Sequence, residues 1–207
     1  LGIPAERVFV AYNAAAPKPT SPPPKRAKTF TGKPTILFVG RLQARKRLNI
    51  LLHACANQPE DLKPELLIVG DGPARGEFES QAQGIYPATQ FLGARFGSAL
   101  DSIFAEADIF ILPGTGGLAV QQAMSHGLPI IVAEGDGTQA DLVRPNNGWL
   151  VPPDDQTALN NTIRIALRDP AKLREMGAES YRITAEEINL ENMVNVFIKA
   201  LVQTKRK

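Results

Sequence analysis

Two cations follow the first buried apolar run of the sequence at short spacing. Arg41 comes directly after Gly40, and Lys46 stands at the start of a stretch with a helical pattern. An arginine offers a planar fork of donors and a lysine a point charge, so together they can neutralise a diphosphate. A solvent-exposed basic turn would have the same residues, and the pair alone does not decide between these interpretations.

Two further turns contain residue types that could bind a nucleotide. Gly114-Thr115-Gly116-Gly117 precedes a predicted helix over 118–126, where glycines allow close backbone approach and free N–H groups bind anions. This turn lacks the Gly-Lys-Ser/Thr ending of a Walker loop and is not a dinucleotide fingerprint after the first strand. Gly93-Ala94-Arg95 follows another predicted strand, and its backbone groups could contact a flat base.

Short apolar runs alternate with helical patterns and must position these turns. Runs of this kind suit strands that are buried on both faces. They predict strands over 35–39, 66–69, 89–92, 108–112, 129–133 and 148–151, and a further short strand over 8–12. Helices are predicted after the first strand and over 98–106, 118–126 and 154–168, and most of the remainder is helical apart from a break near Asp169-Pro170.

This alternation predicts an α/β fold, a Rossmann-like parallel sheet of about six strands with helices on both faces. Ligands of such folds bind at the carboxyl ends of the strands, so the three turns are expected to meet at one edge of the sheet. Asp136 and Asp141 follow the fifth strand and are interpreted as helix caps, while residues 134–138 are expected near the same edge.

Basic charge is concentrated outside the predicted domain. Residues 17–34 hold six of the 17 prolines and five basic residues with no acid, and the chain ends in Lys205-Arg206-Lys207. The formal net charge of +2 therefore comes from a linker and a tail. A nucleic-acid-binding protein carries its basic residues on a folded face, so no nucleic-acid partner is expected and these charges are expected to be solvated.

The composition excludes several other classes. Apolar residues make up 43% of the 207 residues, which is enough for a core and argues against global disorder. No stretch approaches the roughly 18 apolar residues of a membrane span. The single Cys55 excludes a disulfide framework and fits a reducing, cytoplasmic compartment. No cluster of metal-ligating residues is visible, so no metal site is predicted.

Eight stretches agree in order and spacing with one known family. They are Val39-Gly40-Arg41-Leu42 with Lys46, Leu67-Ile68-Val69-Gly70-Asp71-Gly72-Pro73, Phe91-Leu92-Gly93, Ala107-Asp108-Ile109-Phe110-Ile111-Leu112-Pro113, Gly117-Leu118, Gln122-Ala123-Met124, Gly127-Leu128-Pro129-Ile130-Ile131-Val132-Ala133 and Asn147-Gly148-Trp149-Leu150-Val151. Over about residues 35–170 the chain resembles the C-terminal, donor-binding domain of GT-B glycosyltransferases, in particular the retaining enzymes of family four. Residues 1–13 resemble the segment that leads into that domain.

The resemblance implies a function and a role for each candidate residue. The chain would be the donor-binding half of a retaining glycosyltransferase that uses a nucleotide-diphospho-sugar and a glycan or lipid-linked acceptor. Its implied donor-binding residues are Arg41 and Lys46 for the diphosphate, backbone at Gly116, Gly117, Leu118 and Ala119 for phosphate, Gln122 for ribose, and Gly93, Ala94 and Arg95 for the base. No cofactor or metal is implied.

The resemblance also implies a division of the protein. Residues 1–34 would be the leading segment and Pro-rich linker, 35–185 the nucleotide-sugar-binding domain, and 186–207 a C-terminal helix with a basic tail. The acceptor site and part of the catalytic residues would lie on an N-terminal domain outside this chain, which begins without Met. That half would also provide any peripheral membrane contact of the full-length protein.

One departure from the family leaves alternatives open. Family-four enzymes typically carry two glutamates eight positions apart around the glycine turn, and the corresponding residues here are Gly114 and Gln122. Gln122 still donates and accepts hydrogen bonds but carries no charge. A non-catalytic nucleotide-sugar-binding scaffold and a sugar-nucleotide epimerase therefore stand beside the transferase interpretation. The base, the sugar and the acceptor are not specified by the sequence.

Overall fold

A computed structural model of the chain describes residue 4 and residues 7–14, 16–135 and 137–205. Within these residues, one parallel sheet contains six strands, which run in the order β3-β2-β1-β4-β5-β6. The strands are β1 Thr35–Val39, β2 Glu65–Val69, β3 Thr89–Gly93, β4 Ile109–Leu112, β5 Ile130–Ala133 and β6 Gly148–Val151. The strand order reverses between β1 and β4, where open α/β sheets bind their ligands.

The helices of the described residues are α1 Leu48–Ala56, α2 Arg75–Ile85, α3 Gly97–Glu106, α4 Leu118–Ser125, α5 Thr138–Leu142, α6 Gln156–Leu167, α7 Pro170–Glu186 and α8 Leu190–Lys205. Helices α1 to α5 connect successive strands, α6 to α8 follow β6, and the predicted α/β fold class is confirmed. Helix α1 packs against α2 and α6, and α4 packs against α7. The predicted break at Asp169-Pro170 separates α6 from α7, and the Asp169 side chain accepts a hydrogen bond from the Lys172 amide at the start of α7.

The central strands are buried on both faces. All four residues of β4 and all four of β5 are buried between the helical layers. This is why they are continuous apolar runs in the sequence instead of alternating apolar and polar residues. Cys55 is also fully buried, on α1, and burial raises the pKa of its thiol, as expected for a core residue and not for a nucleophile.

The predicted strand over residues 8–12 is wrong. These residues adopt no regular secondary structure, and Val8 and Val10 are 56% and 67% exposed. An extended segment becomes a strand only when a neighbour pairs with its backbone, and none of the described strands does so here. The strand was predicted from the apolar composition of these residues, which carries no information on whether another strand pairs with them.

The expectation that the basic linker residues are solvated is wrong for Arg26. Its guanidinium donates hydrogen bonds to the carbonyl oxygens of Phe104 and Ala107 at the end of α3, at 2.7 and 2.9 Å, and of His126 and Gly127 after α4, at 3.0 and 3.2 Å. Cations are favourable at helix C-termini because carbonyl groups there lack intrahelical partners. Burial, with a contribution from Arg174, lowers the pKa of Arg26 to about 10, so it stays charged at neutral pH.

Other contacts hold the linker along α4 and α7. The Tyr181 hydroxyl donates to the Ser21 carbonyl at 2.9 Å, and Arg174 Nε donates to the Ala27 carbonyl at 2.7 Å. The Pro-rich segment is therefore packed on the domain instead of extending freely from it. Of the basic tail, Arg206 and Lys207 lie outside the described residues, as do residues 1–3 of the leading segment.

Candidate functional site

The turn after β1 is fixed by the neighbouring turn after β2. The Gly40 amide donates to the Val69 carbonyl at 3.0 Å, and the Leu42 amide donates to the Asp71 carbonyl at 2.9 Å. A Cβ atom at Gly70 would lie 1.9 Å from the Gly40 carbonyl oxygen, so only glycine allows this approach. The intervening Arg41 is exposed, and its side chain forms no hydrogen bond or ion pair with any residue the structure describes.

Lys46 ends a single 3-10 turn, Ala44–Lys46, and points toward the glycine turn after β4. Its Nζ donates a hydrogen bond to the Thr115 carbonyl oxygen at 2.5 Å. The side chain is half-buried, and burial, followed by the positive charge of Arg45, lowers the pKa of the Lys46 amine. The ammonium group is therefore held at the switch between β1 and β4.

The glycines after β4 are required by contacts within the protein. A Cβ atom at Gly114 would lie 2.2 Å from the Arg45 carbonyl oxygen, and one at Gly116 would lie 2.6 Å from Lys46 Nζ. Gly116 also has a positive φ of 144°, which disfavours other residues. The sequence pattern predicted that these glycines allow close approach of a ligand; in the structure, Gly114 and Gly116 allow close approach of the turns after β1 and β4 to each other.

Helix α4 begins directly after this turn. Gly117 is the residue before its first turn and provides no side-chain hydrogen bond to the helix start. The first N–H groups of a helix have no intrahelical acceptor, and they attract anions. Lys46 and the start of α4 therefore present a cation and free amide donors to the same region.

Two cavities meet at the first residue of α4. Leu118, Ala119 and Gln122 line the larger one, of about 810 Å³, together with the Pro-rich segment over 16–24. Gly116, Gly117 and Leu118 line the smaller one, of about 200 Å³. Leu118 contributes to both, so an anion bound at the start of α4 would lie between two cavities.

A family model described as "Glycosyl transferases group 1" matches residues 23–183. The chain belongs to this glycosyl transferase family. The match covers most of the chain and includes the turns after β1, β3 and β4. The resemblance to the donor-binding domain of GT-B glycosyltransferases, drawn from the eight sequence stretches, is thereby confirmed.

Individual relatives agree with the family and the fold. The GDP-mannose-dependent alpha-mannosyltransferase of Mycobacterium tuberculosis (strain CDC 1551 / Oshkosh) is 35% identical over 59% of this chain and 31% of its own. Sucrose-phosphate synthase from Thermosynechococcus elongatus has a TM-score of 0.74 at 28% identity, over 84% of this chain and 46% of its own. HepE from Anabaena, in complex with UDP, has a TM-score of 0.73 at 22% identity, over 83% of this chain and 49% of its own.

The chain matches only part of the length of each of these relatives. It spans 30–42% of the length of four curated proteins that it matches and about half of the two solved chains. The family match over residues 23–183 includes every site residue predicted from the sequence.

The structure brings only some of the predicted site residues together. Lys46 contacts the glycine turn directly, and the turn leads into Leu118, Ala119 and Gln122. Residues 93–95 lie at the end of β3, two strands from β1, which at about 4.8 Å per strand is roughly 10 Å away. Neither cavity includes them or Arg41, and the Gly93 carbonyl already accepts from the Gly70 amide at 2.9 Å.

The smaller cavity is also lined by residues that the sequence did not identify as donor-binding, although residues 134–138 were expected near this edge of the sheet. Thr138 and Asp141 line it together with Tyr12 and Asn13. Asp141 was interpreted as a helix cap, but it lies within α5 and not before a helix start; Asp136 lies outside the described residues. The strand-end rule, which placed residues 134–138 near this edge, could also have identified Asp141, because α5 follows β5 there.

Other titratable groups have structural partners. His126 Nε2 lies 3.2 Å from Asp101 Oδ1, its Nδ1 lies 2.9 Å from the Gln122 carbonyl oxygen, and its ring stacks on Phe104 at 4.7 Å. It directly follows the last residue of α4, at the C-terminal end of the helix, where positive charge is favourable. In the described part of the chain, no three His, Cys, Asp or Glu residues are grouped as metal ligands.

The longest helices among the described residues, α7 and α8, are amphipathic. Among the described residues, no helix combines the length and apolar character needed to cross a bilayer. Six large apolar side chains of α8 remain 38–62% exposed along one side of the helix: Leu190, Val194, Phe197, Ile198, Leu201 and Val202.

Proposed function

We propose that this chain is the donor-binding half of a retaining glycosyltransferase, and that it binds a nucleotide-diphospho-sugar at the switch between β1 and β4. The observation that carries this proposal is the position of Lys46 Nζ, 2.5 Å from the Thr115 carbonyl and directly before the uncapped start of α4. A diphosphate at this point meets a cation and free amide donors at once. Membership of the glycosyl transferase family supports the same chemistry.

The diphosphate is the part of the donor that gains charge during transfer. As the bond to the sugar breaks, negative charge develops on the leaving phosphate oxygen, and donors that are already oriented stabilise it most. Lys46 and the backbone of residues 116–119 occupy that place, and the exposed Arg41 side chain is free to close over the outer phosphate. These cations supply the positive charge, and the proposal includes no metal or other cofactor.

The nucleoside extends from the diphosphate along α4. Gln122 lines the larger cavity one helical turn beyond Leu118, where its amide can donate to and accept from ribose hydroxyls. Residues 93–95 are proposed to contact the base. Relatives differ in their nucleotide: the mannosyltransferase is named for GDP-mannose, whereas HepE, which shares the fold, was solved with UDP. The base therefore stays open.

Binding of the acceptor is proposed to require a second domain. Because the chain spans less than half of its curated relatives, the acceptor site and the remaining catalytic residues are proposed to lie on an N-terminal domain. Closure of two domains over the diphosphate would exclude water and position the acceptor, a glycan or a lipid-linked sugar. Any contact with a membrane surface is proposed to come from that half.

A second candidate function is a nucleotide-sugar-binding scaffold without transfer activity. It is favoured by Gly114 and Gln122, which replace the glutamate pair expected from the family. Packing excludes a glutamate at Gly114, because the Cβ atom of any side chain there would lie 2.2 Å from the Arg45 carbonyl oxygen. The donor sugar therefore receives no carboxylate from the glycine turn itself.

Nucleotide binding is the first test of the proposal. The 207-residue chain is titrated with UDP, GDP and ADP while its thermal unfolding is followed. A ligand that binds only the folded state raises the unfolding temperature in proportion to RT ln(1 + [L]/Kd). We expect one of the three to stabilise the chain, and no stabilisation by any of them at millimolar concentration would contradict the proposal.

Product analysis with the full-length protein separates the alternatives. A new glycosidic bond with the anomeric configuration of the donor supports the retaining transferase. A freed sugar nucleotide or sugar with inverted C2 configuration supports an epimerase. Nucleotide-sugar binding without any product, against a set of glycan and lipid-linked acceptors, supports the scaffold.

A further inference from the structure

We propose that a third cavity, of about 250 Å³, is an anion site that binds a phosphate group between the Pro-rich linker and α7. Thr35, the first residue of β1, and Asp108, directly before β4, line it, so the cavity lies at the amino ends of these strands. The donor diphosphate is proposed at the carboxyl ends, on the opposite edge of the sheet. The inference therefore goes beyond the proposed function and does not rest on it.

Two guanidinium groups share one carboxylate beside this cavity. Arg174 Nη2 donates to Asp108 Oδ1 at 2.6 Å, and the two side chains are only 14% and 16% exposed. Arg26 donates instead to the four backbone carbonyl oxygens at the ends of α3 and α4, which carry no net charge. This partly buried cluster therefore holds one positive charge in excess.

The two arginines are close enough to influence each other. Burial, followed by the positive charge of Arg174, lowers the pKa of Arg26 to about 10. Charges that are removed from water are costly unless an opposite charge compensates them. An anion in the cavity, which both side chains line, would provide that compensation.

Arg174 also keeps a buried donor without an acceptor. Its Nε donates to the Ala27 carbonyl at 2.7 Å and its Nη2 to Asp108, but Nη1 is buried and has no hydrogen-bond partner in the described part of the chain. The ring of Phe30 lies against the guanidinium group, with its centre 5.7 Å from Cζ. A buried donor without an acceptor is unfavourable, and phosphate oxygens are strong acceptors for arginine.

Lysines of the linker extend the positive lining of the cavity. Lys25 and Lys33 are exposed there, and neither forms a salt bridge with a carboxylate that the structure describes. The lining also contains Glu106, exposed at the end of α3, so four cations face two carboxylates. A phosphate group carries a charge of about −1.5 to −2 at neutral pH, which matches this excess better than the single charge of a carboxylate.

Hydroxyl donors complete the lining. Thr29, Thr31 and Thr35 belong to it, and each hydroxyl group can donate to a phosphate oxygen. The linker provides most of these groups and α7 provides Arg174, so a bound phosphate would fasten the linker to the domain. Slower proteolysis of the linker is therefore a second readout of binding.

Calorimetry of the 207-residue chain tests the inference in chloride buffer at fixed ionic strength, with inorganic phosphate, glucose 6-phosphate and acetate as probes. We expect at least one phosphate probe to bind more tightly than acetate and to slow cleavage of the linker. The two phosphate probes distinguish a free phosphate ion from a phosphomonoester. Lys25→Met/Lys33→Met should weaken binding about fivefold to tenfold, since two contacts from exposed cations to phosphate are lost.

A second variant, Arg174→Lys, tests the buried donor. Lysine keeps a positive charge for Asp108 but lacks Nη1, so phosphate binding should weaken about tenfold or more while the chain still unfolds cooperatively. The matched control for the lysine pair is Lys28→Met/Lys199→Met, which removes two exposed charges outside the cavity. It should bind phosphate as tightly as the unaltered chain does.

The outcomes separate this cavity from the proposed diphosphate site. Phosphate bound at the start of α4 would lose affinity in Lys46→Met and keep it in Lys25→Met/Lys33→Met, and that result overturns the inference. Phosphate probes that bind no more tightly than acetate at millimolar concentration overturn it as well. Weakened binding in Lys25→Met/Lys33→Met with full affinity in Lys46→Met supports the anion site, whether or not the chain binds a nucleotide.

Discussion

The Lys46 ammonium nitrogen lies 2.5 Å from the Thr115 carbonyl oxygen, although 69 positions separate the two residues in the sequence. This contact joins the turn after β1 to the turn after β4, the two central strands at which the sheet reverses its order. It places the cation beside the start of α4 before any ligand binds. A donor diphosphate would therefore find its positive partner already oriented.

Replacement of Lys46 by Met is expected to weaken nucleoside diphosphate binding about tenfold or more, because a charge-assisted hydrogen bond to phosphate is lost. The Met side chain keeps most of the apolar stem, so folding should be retained. Calorimetry with UDP, GDP and ADP measures the change. Arg41→Ala should have a smaller effect, since Arg41 is exposed and its side chain is not held by the described residues.

The matched control for Lys46→Met is Lys199→Met, which removes an exposed charge from α8. Its affinity for the same ligand should equal that of the unaltered chain. If the double variant Arg41→Ala/Lys46→Ala binds as tightly as the unaltered chain, neither cation has the proposed role.

Binding should also depend on pH through Lys46. Burial lowers the pKa of its amine below the usual value for lysine of about 10.4. Because the charged form binds phosphate, affinity should be constant below the lowered pKa and fall as pH rises through it. Calorimetry from neutral to alkaline pH measures this fall. Lys46→Arg should keep the affinity constant over the same range, and an equal fall in that variant would assign the effect to another group.

The sequence predicted the sheet well because its central strands are buried on both faces and therefore have a local signature. It predicted Lys46 because a cation after a strand end is also a local pattern. It did not predict α5, whose five residues are too few for a helical period, or the four carbonyl partners of Arg26, which lie 78–101 positions away. Contacts between distant segments have no local signature in the sequence. The need for glycine at position 114 is of the same kind, because it comes from the close approach of the Arg45 carbonyl oxygen.

Gly114→Ala is expected to destabilise the fold. The new Cβ atom would lie 2.2 Å from the Arg45 carbonyl oxygen, so the turn that holds Lys46 must move. Overpacking of this kind costs about 1–3 kcal/mol, and the unfolding temperature of a chain of this size falls by roughly 2–4 °C per kcal/mol. Thermal unfolding measures the loss, and UDP, GDP or ADP binding should weaken with it.

Gly84→Ala is the matched control, because a Cβ atom at this position on α2 has no neighbour within 4 Å. Alanine is favoured over glycine within helices by up to about 1 kcal/mol, so this variant should be as stable as the unaltered chain or more stable. Equal stability of Gly114→Ala and Gly84→Ala would show that the close contact at Gly114 is not required. Gly114→Glu, which restores the family residue, should be less stable than Gly114→Ala.

Arg26→Met is expected to lower the free energy of unfolding by about 3 kcal/mol, because carbonyl oxygens at the ends of α3 and α4 lose a charged donor. For a chain of this size, that is a fall of roughly 10 °C in the unfolding temperature. Limited proteolysis should also cleave the Pro-rich segment faster, since Arg26 holds it to the domain. Lys28→Met, an exposed neighbour in the same linker, should alter neither measurement. Unchanged stability and cleavage in Arg26→Met would mean that the segment is held by its other contacts, those of Ser21 and Ala27 with α7.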